Sequence, residues 1–201
     1  MSNPSAPLIV GLGGTTRPGS SSELAMRYAL SVVQALGADV IALPGPELDL
    51  PMYSPDRPER SERARRLVDL LRRCDGLVLA SPAYHGSMSG LVKNALDYTE
   101  DLRNDDSPYL DGRAVGCVVC AGGWQAAGTT LMALRSVVHA LRGWPAPMGV
   151  AINTRTRMFD DQGQPLLREV ADDLAVMAGQ VLRFARMHRA HMDAIGGTGV
   201  V

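Results

Sequence analysis

The sequence predicts an α/β fold in which helices cover both faces of a doubly wound, five-stranded parallel sheet, giving three layers in the order αβα. Five short apolar runs alternate with five segments of helical periodicity along the chain. One run, GLVLAS at 76–81, shows no alternation of apolar and polar residues, which is typical of a strand covered on both faces. Parallel strands need crossover connections, so this pattern favours one sheet between two helical layers.

The first part of the chain divides into strand, helix and strand. Leu8 to Gly13 is a short apolar run and predicts the first strand. Ser21 to Leu36 has apolar residues every three or four positions and is followed by Gly37, a typical helix end. Ala38 to Leu43 predicts the second strand. Residues 44–58 contain five prolines, so we expect a surface connection there.

The rest of the chain continues the alternation and contains no linker-like or repetitive segment. The further elements are expected at 59–73 (helix), 76–81 (strand), 89–102 (helix), 114–122 (strand), 129–141 (helix), 148–153 (strand) and 166–188 (helix). The length of 201 residues suits one well-buried domain. We therefore expect a single domain over 1–201, with its core at about 8–189 and a loose tail at 190–201.

Composition and charge exclude several classes of protein. A net charge of −1 offers no electrostatic basis for binding nucleic acid or an anionic membrane. No apolar run approaches the roughly 20 residues of a membrane span, and the first residues do not resemble a signal peptide, so we expect a cytoplasmic protein. Cys117 and Cys120 would point to opposite faces of a strand, which argues against a paired redox or metal site. We expect buried thiols and no metal.

The first candidate site is the loop GLGGTTRPGSSSE, residues 11–23, between the first strand and the first helix. Ligands of doubly wound sheets bind beyond the carboxyl ends of the strands, where a helix N-terminus attracts anions. Thr16 breaks the G-x-G-x-x-G pattern of dinucleotide sites, and no P-loop lysine follows. The donors present suit a phosphate monoester; they are Thr15, Arg17, Ser20, Ser21 and Ser22. A simple turn with Ser20 or Ser21 as the helix cap fits equally well.

The second candidate site is the loop after the third strand. Pro82 is expected to end that strand, and Tyr84 offers an aromatic side chain that can border a flat ring. The other residues of this loop are Ala83, His85, Gly86 and Ser87. An ordinary surface position for Tyr84 and a structural role for His85 are the alternatives.

The third candidate site is the loop AGGWQAAGTT after the fourth strand. Gly122 and Gly123 would let the backbone approach a ligand closely, and Trp124 would cover it. A packing role for Trp124 is the alternative.

Together the three loops resemble those of the NADPH-dependent FMN reductase family, which has a flavodoxin-like fold with strand order 2-1-3-4-5. The first loop matches the family's Ser/Thr-x-Arg-x-x-Ser phosphate loop through Thr15, Arg17 and Ser20. The third matches its Gly-Gly loop through Gly122 and Gly123. The second matches the signature S-P-x-Y…S-G-x-x-K-N-x-x-D through Ser81, Pro82, Tyr84, Ser89, Gly90, Lys93, Asn94 and Asp97. The resemblance spans about residues 8–185.

The resemblance implies FMN as the cofactor, with NADPH or NADH as the co-substrate. Residues Thr15, Arg17, Ser20 and Ser22 would hold the 5′-phosphate. Residues 82–87 would run along the ribityl chain and the ring, and residues 122–124 would meet the pyrimidine edge. Thr15 and Ser22 stand where the family commonly has serine and asparagine, and both keep a hydroxyl.

The implied activity is that of an NAD(P)H-dependent FMN reductase. The nicotinamide would pass a hydride to N5 of FMN, while N–H groups at Gly122 and Gly123 stabilise negative charge near N1 and O2. Electrons would then leave to free flavin or to a small acceptor: a quinone, an azo or nitro compound, or a metal oxyanion. Tyr84 and His85 are the only catalytic candidates. His85 and Lys93 are weak candidates for the 2′-phosphate of NADPH, and a solvent-facing Lys93 is the alternative.

The main alternative function is that of a flavodoxin-type electron carrier without turnover of its own. Such carriers are strongly acidic and bind the phosphate without a cation, so the net charge of −1 and Arg17 argue against it. A relative that has lost flavin is a further alternative. The helix at 129–141 is apolar around much of its circumference, which favours a homodimer or homotetramer with His139 and Trp144 as contacts. A monooxygenase that receives reduced FMN is another partner implied by the family.

Overall fold

The computed structural model describes residues 6–196, and its central feature is one mainly parallel sheet. The strands are β1 (Leu8–Gly13), β2 (Asp39–Pro44), β3 (Gly76–Tyr84), β4 (Ser87–Met88), β5 (Ala114–Ala121), β6 (Trp144–Pro145) and β7 (Val150–Asn153). The helices are α1 (Ser21–Ala35), α2 (Glu62–Arg73), α3 (Gly90–Asp97), α4 (Trp124–Ala140) and α5 (Arg168–Gly196). Two short 3₁₀ helices lie at Gly45–Glu47 and Tyr98–Leu102.

The strand order confirms the doubly wound sheet expected from the sequence. Strands β2, β1, β3 and β5 lie side by side in parallel, and β6 and β7 both pair in parallel with β5. Two short strands thus share the fifth position, where one was expected, and the intervening Pro147 has no N–H to donate to the ladder. A second addition is β4, which pairs antiparallel with the end of β3. The sheet therefore has seven strands rather than five, within the expected order of main strands.

Alternating strand residues divide the core between the two faces of the sheet. On one face, Leu77 of β3 belongs to a buried cluster with residues of α2, α3 and α4. On the other face, Val78 belongs to a cluster with residues of α1 and α5. Cys117 and Cys120 of β5 lie in opposite clusters and are buried, as expected for a strand. This three-layer arrangement places all loops that follow β1, β3, β5 and β7 at one edge of the sheet.

Helix α4 begins at Trp124, five residues before the expected start at 129. The glycines at 122, 123 and 128 favour a loop here, because glycine has a low helix propensity. Burial overrides that preference, since Ala127 and Thr130 pack fully inside against the sheet. Gly123, with φ −160° and ψ 145°, is the N-cap.

The predicted loose tail is wrong for residues 190–196, because α5 continues to Gly196. This segment contains alanine and methionine, which favour the helix, and it contains no proline. Residues 197–201 lie outside the described part of the chain. Between residues 6 and 196, no helix is both long enough and apolar enough to cross a membrane.

Candidate functional site

The ends of β1, β3, β5 and β7 surround a cavity of about 210 Å³, called the inner cavity below. All three loops predicted from the sequence contribute to it. Its lining consists of Thr15, Arg17, Ser20, Ser21, Ser22, Pro82, Ala83, Tyr84, Cys120, Ala121, Gly122 and Thr154. Segments far apart along the chain thus meet at the edge of the sheet where doubly wound folds bind ligands.

Backbone contacts give the first loop its shape. The N–H of Gly14 donates to the carbonyl of Ala80 at 3.2 Å, which ties the end of β1 to β3. The N–H of Arg17 donates to Thr15 Oγ1 at 3.1 Å and closes a tight turn. A Cβ at Gly45 would lie 1.8 Å from the carbonyl oxygen of Thr15, so glycine is required where the loop passes the end of β2. The loop is therefore held on both sides before α1 begins.

Ser20 is the N-cap of α1, as one interpretation of the loop expected. Its Oγ accepts from the N–H of Glu23 at 3.4 Å and lies 3.5 Å from Ser22 Oγ. Capping uses an acceptor lone pair, so the hydroxyl hydrogen remains available to a ligand. The Ser21 hydroxyl has no hydrogen bond to another residue between 6 and 196. Capping and phosphate binding are therefore compatible in this loop.

The charges around the first loop leave one cation free for a ligand. Glu23 is nearly buried, accepts from the N–H of Gly19 at 3.1 Å and pairs with Arg27 at 2.8 Å. Arg17 is exposed, and its guanidinium has no ion pair or hydrogen bond within the described chain. Since Arg27 neutralises Glu23, the positive charge of Arg17 and the N-terminal dipole of α1 act together on an anion in the inner cavity.

The second loop is a hairpin formed by β3 and β4. Pro82 does not end the strand as expected: β3 continues to Tyr84, with Pro82 opposite Cys120. Proline fits here because the parallel ladder stops at this position and no further N–H is required. His85 and Gly86 have φ values of 52° and 82°, which is typical of a type I′ turn.

The hairpin divides the predicted residues of the second loop into two groups. Pro82, Ala83 and Tyr84 line the inner cavity, and Tyr84 is 52% exposed. The remaining three form the tip of the hairpin and are not part of the lining: His85, Gly86 and Ser87. The tip would meet a ligand only where it extends out of the cavity.

Two serines of the second signature support the hairpin from beneath. Ser81 is fully buried, and its Oγ accepts from the N–H of Ser89 at 3.0 Å. Ser89 in turn caps α3 by accepting from the N–H of Val92 at 3.2 Å. These bonds join the end of β3 to the start of α3, so both serines position the loop and do not line the cavity.

Other signature residues also have structural contacts. Asn94 Oδ1 accepts from the N–H of Tyr53 at 2.8 Å, and its Nδ2 donates to the carbonyl of Pro51 at 3.0 Å. These bonds hold the proline-rich connection against α3. Lys93 is exposed and forms an ion pair with Asp97 one turn later, which supports its solvent-facing alternative.

Of the three residues predicted in the third loop, only Gly122 lines the inner cavity. A Cβ at Gly122 would meet no atom within 4 Å, so open space lies in front of this backbone. Gly123 is the N-cap of α4 and does not line the cavity. Trp124 is 66% exposed and borders a neighbouring cavity of about 590 Å³, called the outer cavity below. The outer cavity lies between β7 and the starts of α4 and α5 and includes Asn153, Arg155, Glu169 and Asp173 in its lining.

Sequence reasoning missed three residues of the inner cavity: Cys120, Ala121 and Thr154. Ala121 pairs with Asn153, so Thr154 follows β7 at the same edge where Gly122 follows β5. Parallel strands end at the same edge of the sheet, so the residue that follows β7 lies beside the residue that follows β5. This rule could have identified Thr154. Burial raises the pKa of Cys120 to about 12, so its thiol lies in the wall in the protonated form at neutral pH.

A separate cavity of about 490 Å³ lies at the opposite, amino-terminal edge of the strands. Its two arginines already have partners: Arg72 pairs with Asp105 at 2.8 Å, and Arg113 donates to the Cys74 carbonyl at 3.1 Å. Both cations of this cavity are therefore occupied by contacts that support the strand ends.

Residues 7–157 match the family model described as NADPH-dependent FMN reductase. The chain is 26% identical over 130 residues to an NADPH azoreductase of Bacillus sp. (strain OY1-2), covering 63% of this chain and 70% of that protein. It is 30% identical over 131 residues to an FMN-dependent NADPH-azoreductase of Staphylococcus aureus, covering 65% of this chain and 66% of that protein, just under two thirds of its length.

Solved structures confirm the fold. The flavoenzyme NAD(P)H:(acceptor) oxidoreductase FerB from Paracoccus denitrificans superposes with a TM-score of 0.74 at 19% identity, covering 91% of this chain and 98% of that one. A flavodoxin, WrbA-like protein from Agrobacterium tumefaciens gives a TM-score of 0.58 at 14% identity, covering 92% and 99%. At these identities the likeness concerns the flavodoxin-like fold.

Proposed function

This chain belongs to the NADPH-dependent FMN reductase family, a family of oxidoreductases that use FMN with NADPH as co-substrate, and from this we propose that it binds FMN in the inner cavity and reduces it with NADPH. The observation that carries the proposal is the free cation at a helix N-terminus. Arg17 has no partner within the described chain, while Glu23 beneath the loop is neutralised by Arg27. A phosphate dianion suits this arrangement of donors.

The inner cavity has room for part of FMN. A volume of about 210 Å³ is below the roughly 300–1,000 Å³ of sites that enclose a whole small ligand. The inner cavity therefore suits the phosphate and ribityl part, and the exposed residues Tyr84 and Gly122 would meet the ring. An open ring face leaves room for a second substrate.

When bound, FMN supplies the capacity to accept a hydride and to pass its electrons on. The chain's own residues orient it. Arg17 and the serines of the first loop would hold the phosphate, while Pro82 and Tyr84 would border the ring. The backbone N–H of Gly122 would donate to the polar edge of the ring, since a Cβ at this position would meet no atom within 4 Å. His85 and Ser87, at the hairpin tip, would touch only the exposed part.

The proposed acceptor is a small molecule that stacks on the same ring face: free flavin, a quinone, an azo or nitro compound, or a metal oxyanion. Azo compounds are the first class to test, because the two relatives described above are azoreductases. Transfer of reduced FMN to a monooxygenase is the other route proposed. The location proposed is the cytoplasm, where the free thiols of Cys74, Cys117 and Cys120 would stay reduced.

The proposed assembly is a homodimer or homotetramer. Helix α4 exposes Met132 and His139, and Trp144 beyond it is 58% exposed. We propose that these exposed side chains contact a second subunit.

The experiment that tests the function is a visible absorption titration of purified protein with FMN, followed by NADPH without oxygen. We expect a shifted flavin band that bleaches on addition of NADPH and returns on addition of an azo compound. A flavodoxin-type carrier would bind FMN without bleaching by NADPH alone. Absence of any FMN binding would reject the proposal.

A further inference from the structure

The outer cavity is large enough for a ligand and lies directly beside the inner one. Its volume of about 590 Å³ falls within the range of small-molecule sites. Asn153 and Arg155 line the outer cavity, while Thr154 between them lines the inner cavity. A ligand with one end over the ring of FMN can therefore place its other end in the outer cavity.

Arg155 is a cation without a protein partner at this place. The residue is exposed, and its guanidinium forms no ion pair or hydrogen bond within residues 6–196. Its backbone is nevertheless fixed, because its N–H donates to Asn153 Oδ1 at 3.1 Å. Arg157, two residues later, differs: it pairs with Asp161 and donates to the Phe159 carbonyl at 2.7 Å. Only Arg155 of this pair is available to an anion.

The other groups around the outer cavity favour a neutral aromatic group next to that anion. Trp124 presents an exposed indole at the rim, on which a flat base can stack. Glu169 and Asp173, from the start of α5, line the same cavity and form no ion pair with Arg155. Carboxylates accept hydrogen bonds from amino and hydroxyl groups and repel anions. A ligand that fits presents a phosphate to Arg155, an aromatic base to Trp124 and hydrogen-bond donors to the two carboxylates.

We propose that the outer cavity binds the adenosine half of NADPH, with its 2′-phosphate on Arg155 and its adenine against Trp124. The inference rests on the proposed function, since it places the other half of the same dinucleotide on the flavin side. The amino and ribose hydroxyl groups face the carboxylates of Glu169 and Asp173. Arg155 then distinguishes NADPH from NADH, which lacks only that phosphate.

The test is a calorimetric titration with adenosine 2′,5′-bisphosphate and with 5′-AMP. The two probes differ by the 2′-phosphate alone, and neither requires turnover. We expect wild-type protein to bind the bisphosphate at least about tenfold more tightly than 5′-AMP, as a charge-assisted phosphate contact provides. Arg155→Gln should abolish this difference, and Arg157→Gln, the matched control, should keep it.

Steady-state kinetics provide a second measurement. In Arg155→Gln we expect KM for NADPH to rise at least about tenfold, with kcat nearly unchanged and with KM for NADH within about twofold of wild type. Equal affinities of wild type for the two nucleotides, or a difference that survives Arg155→Gln, would overturn the inference. If both nucleotides bind as expected but NADPH does not bleach FMN, the proposed function is rejected and the inference about the adenosine site is retained.

Discussion

Arg17 offers a way to separate phosphate binding from the rest of flavin binding. Its guanidinium has no partner within the described residues, so replacing it leaves no protein group unsatisfied. We expect Arg17→Gln to weaken FMN binding at least about tenfold, because a hydrogen bond to a charged group contributes roughly 1.5–3 kcal/mol. Riboflavin lacks the phosphate, and its affinity should stay within about twofold. Quenching of flavin fluorescence measures both; an equal loss for the two ligands would assign Arg17 to the ring or to loop folding.

Thr130 is a second residue with a testable energetic consequence. Its side chain is fully buried in α4, and its Oγ1 has no hydrogen-bond partner within residues 6–196. A buried hydroxyl without a partner costs about 1–3 kcal/mol, so we expect Thr130→Val to increase the free energy of unfolding by about 1 kcal/mol. The neighbouring Thr129 is exposed and donates to the Gln125 carbonyl at 2.9 Å. Thr129→Val is the matched control and should not stabilise the protein in urea denaturation.

Individual residues also show where sequence reasoning succeeds and where it stops. Thr15, Arg17 and Ser20 to Ser22 were identified because hydroxyls, a guanidinium and a helix start occur together in one short segment, and these residues line the inner cavity. Thr154 was missed because it carries no motif and reaches the cavity only through the pairing of β7 with β5. Trp124 was placed beside the flavin, but its position as the first residue of α4 directs it to the outer cavity.

At the level of elements, α3 holds the proline-rich connection, residues 44–58, in place through hydrogen bonds. Asn94 holds Tyr53, Leu50 and Pro51 through hydrogen bonds of 2.8, 3.3 and 3.0 Å. We expect Asn94→Ala to lower the free energy of unfolding by about 2–3 kcal/mol, because three backbone groups of a buried or partly buried segment lose their partner. Lys93 on the same helix forms only an exposed ion pair, so Lys93→Ala should cost less than about 1 kcal/mol. Equal losses in the free energy of unfolding for Asn94→Ala and Lys93→Ala, measured by urea denaturation, would contradict this role of α3.

The hairpin and α4 explain why some element boundaries were not predictable. The sequence SPAYHGSMS suggests a turn after Pro82, but pairing with β4 extends the strand to Tyr84. The glycines at 122, 123 and 128 favour a loop after β5, but Ala126 and Ala127 have high helix propensity and Ala127 is buried, so the helix begins at Trp124. By contrast, both bounds of β1 were predicted correctly, since an apolar run ending in two glycines has no competing interpretation.

Considered as a whole, the molecule builds its candidate site from strand ends that lie far apart in sequence. The doubly wound order brings the residues after β1, β3, β5 and β7 to one edge, with α1 and α5 on one face and α2 to α4 on the other. The same burial that forms this sheet encloses all three thiols within the described chain. Because the pKa of a thiol changes when it is buried, these thiols make the free energy of unfolding depend on pH.

Burial raises the pKa of Cys74 to about 11 and those of Cys117 and Cys120 to about 12, because the thiolate is poorly solvated in the core. An exposed thiol in the unfolded chain has a pKa near 8.5, so the unfolded state loses its protons first as pH rises. The contribution to stability is complete below about pH 8.5 and is lost progressively towards pH 11 to 12. We expect Tm to fall across this range. A variant with alanine at all three positions keeps its Tyr and Lys titrations but lacks the thiol contribution. Its Tm should therefore fall less steeply with pH than that of the wild type. Identical slopes of Tm against pH would mean that thiol burial does not control alkaline unfolding.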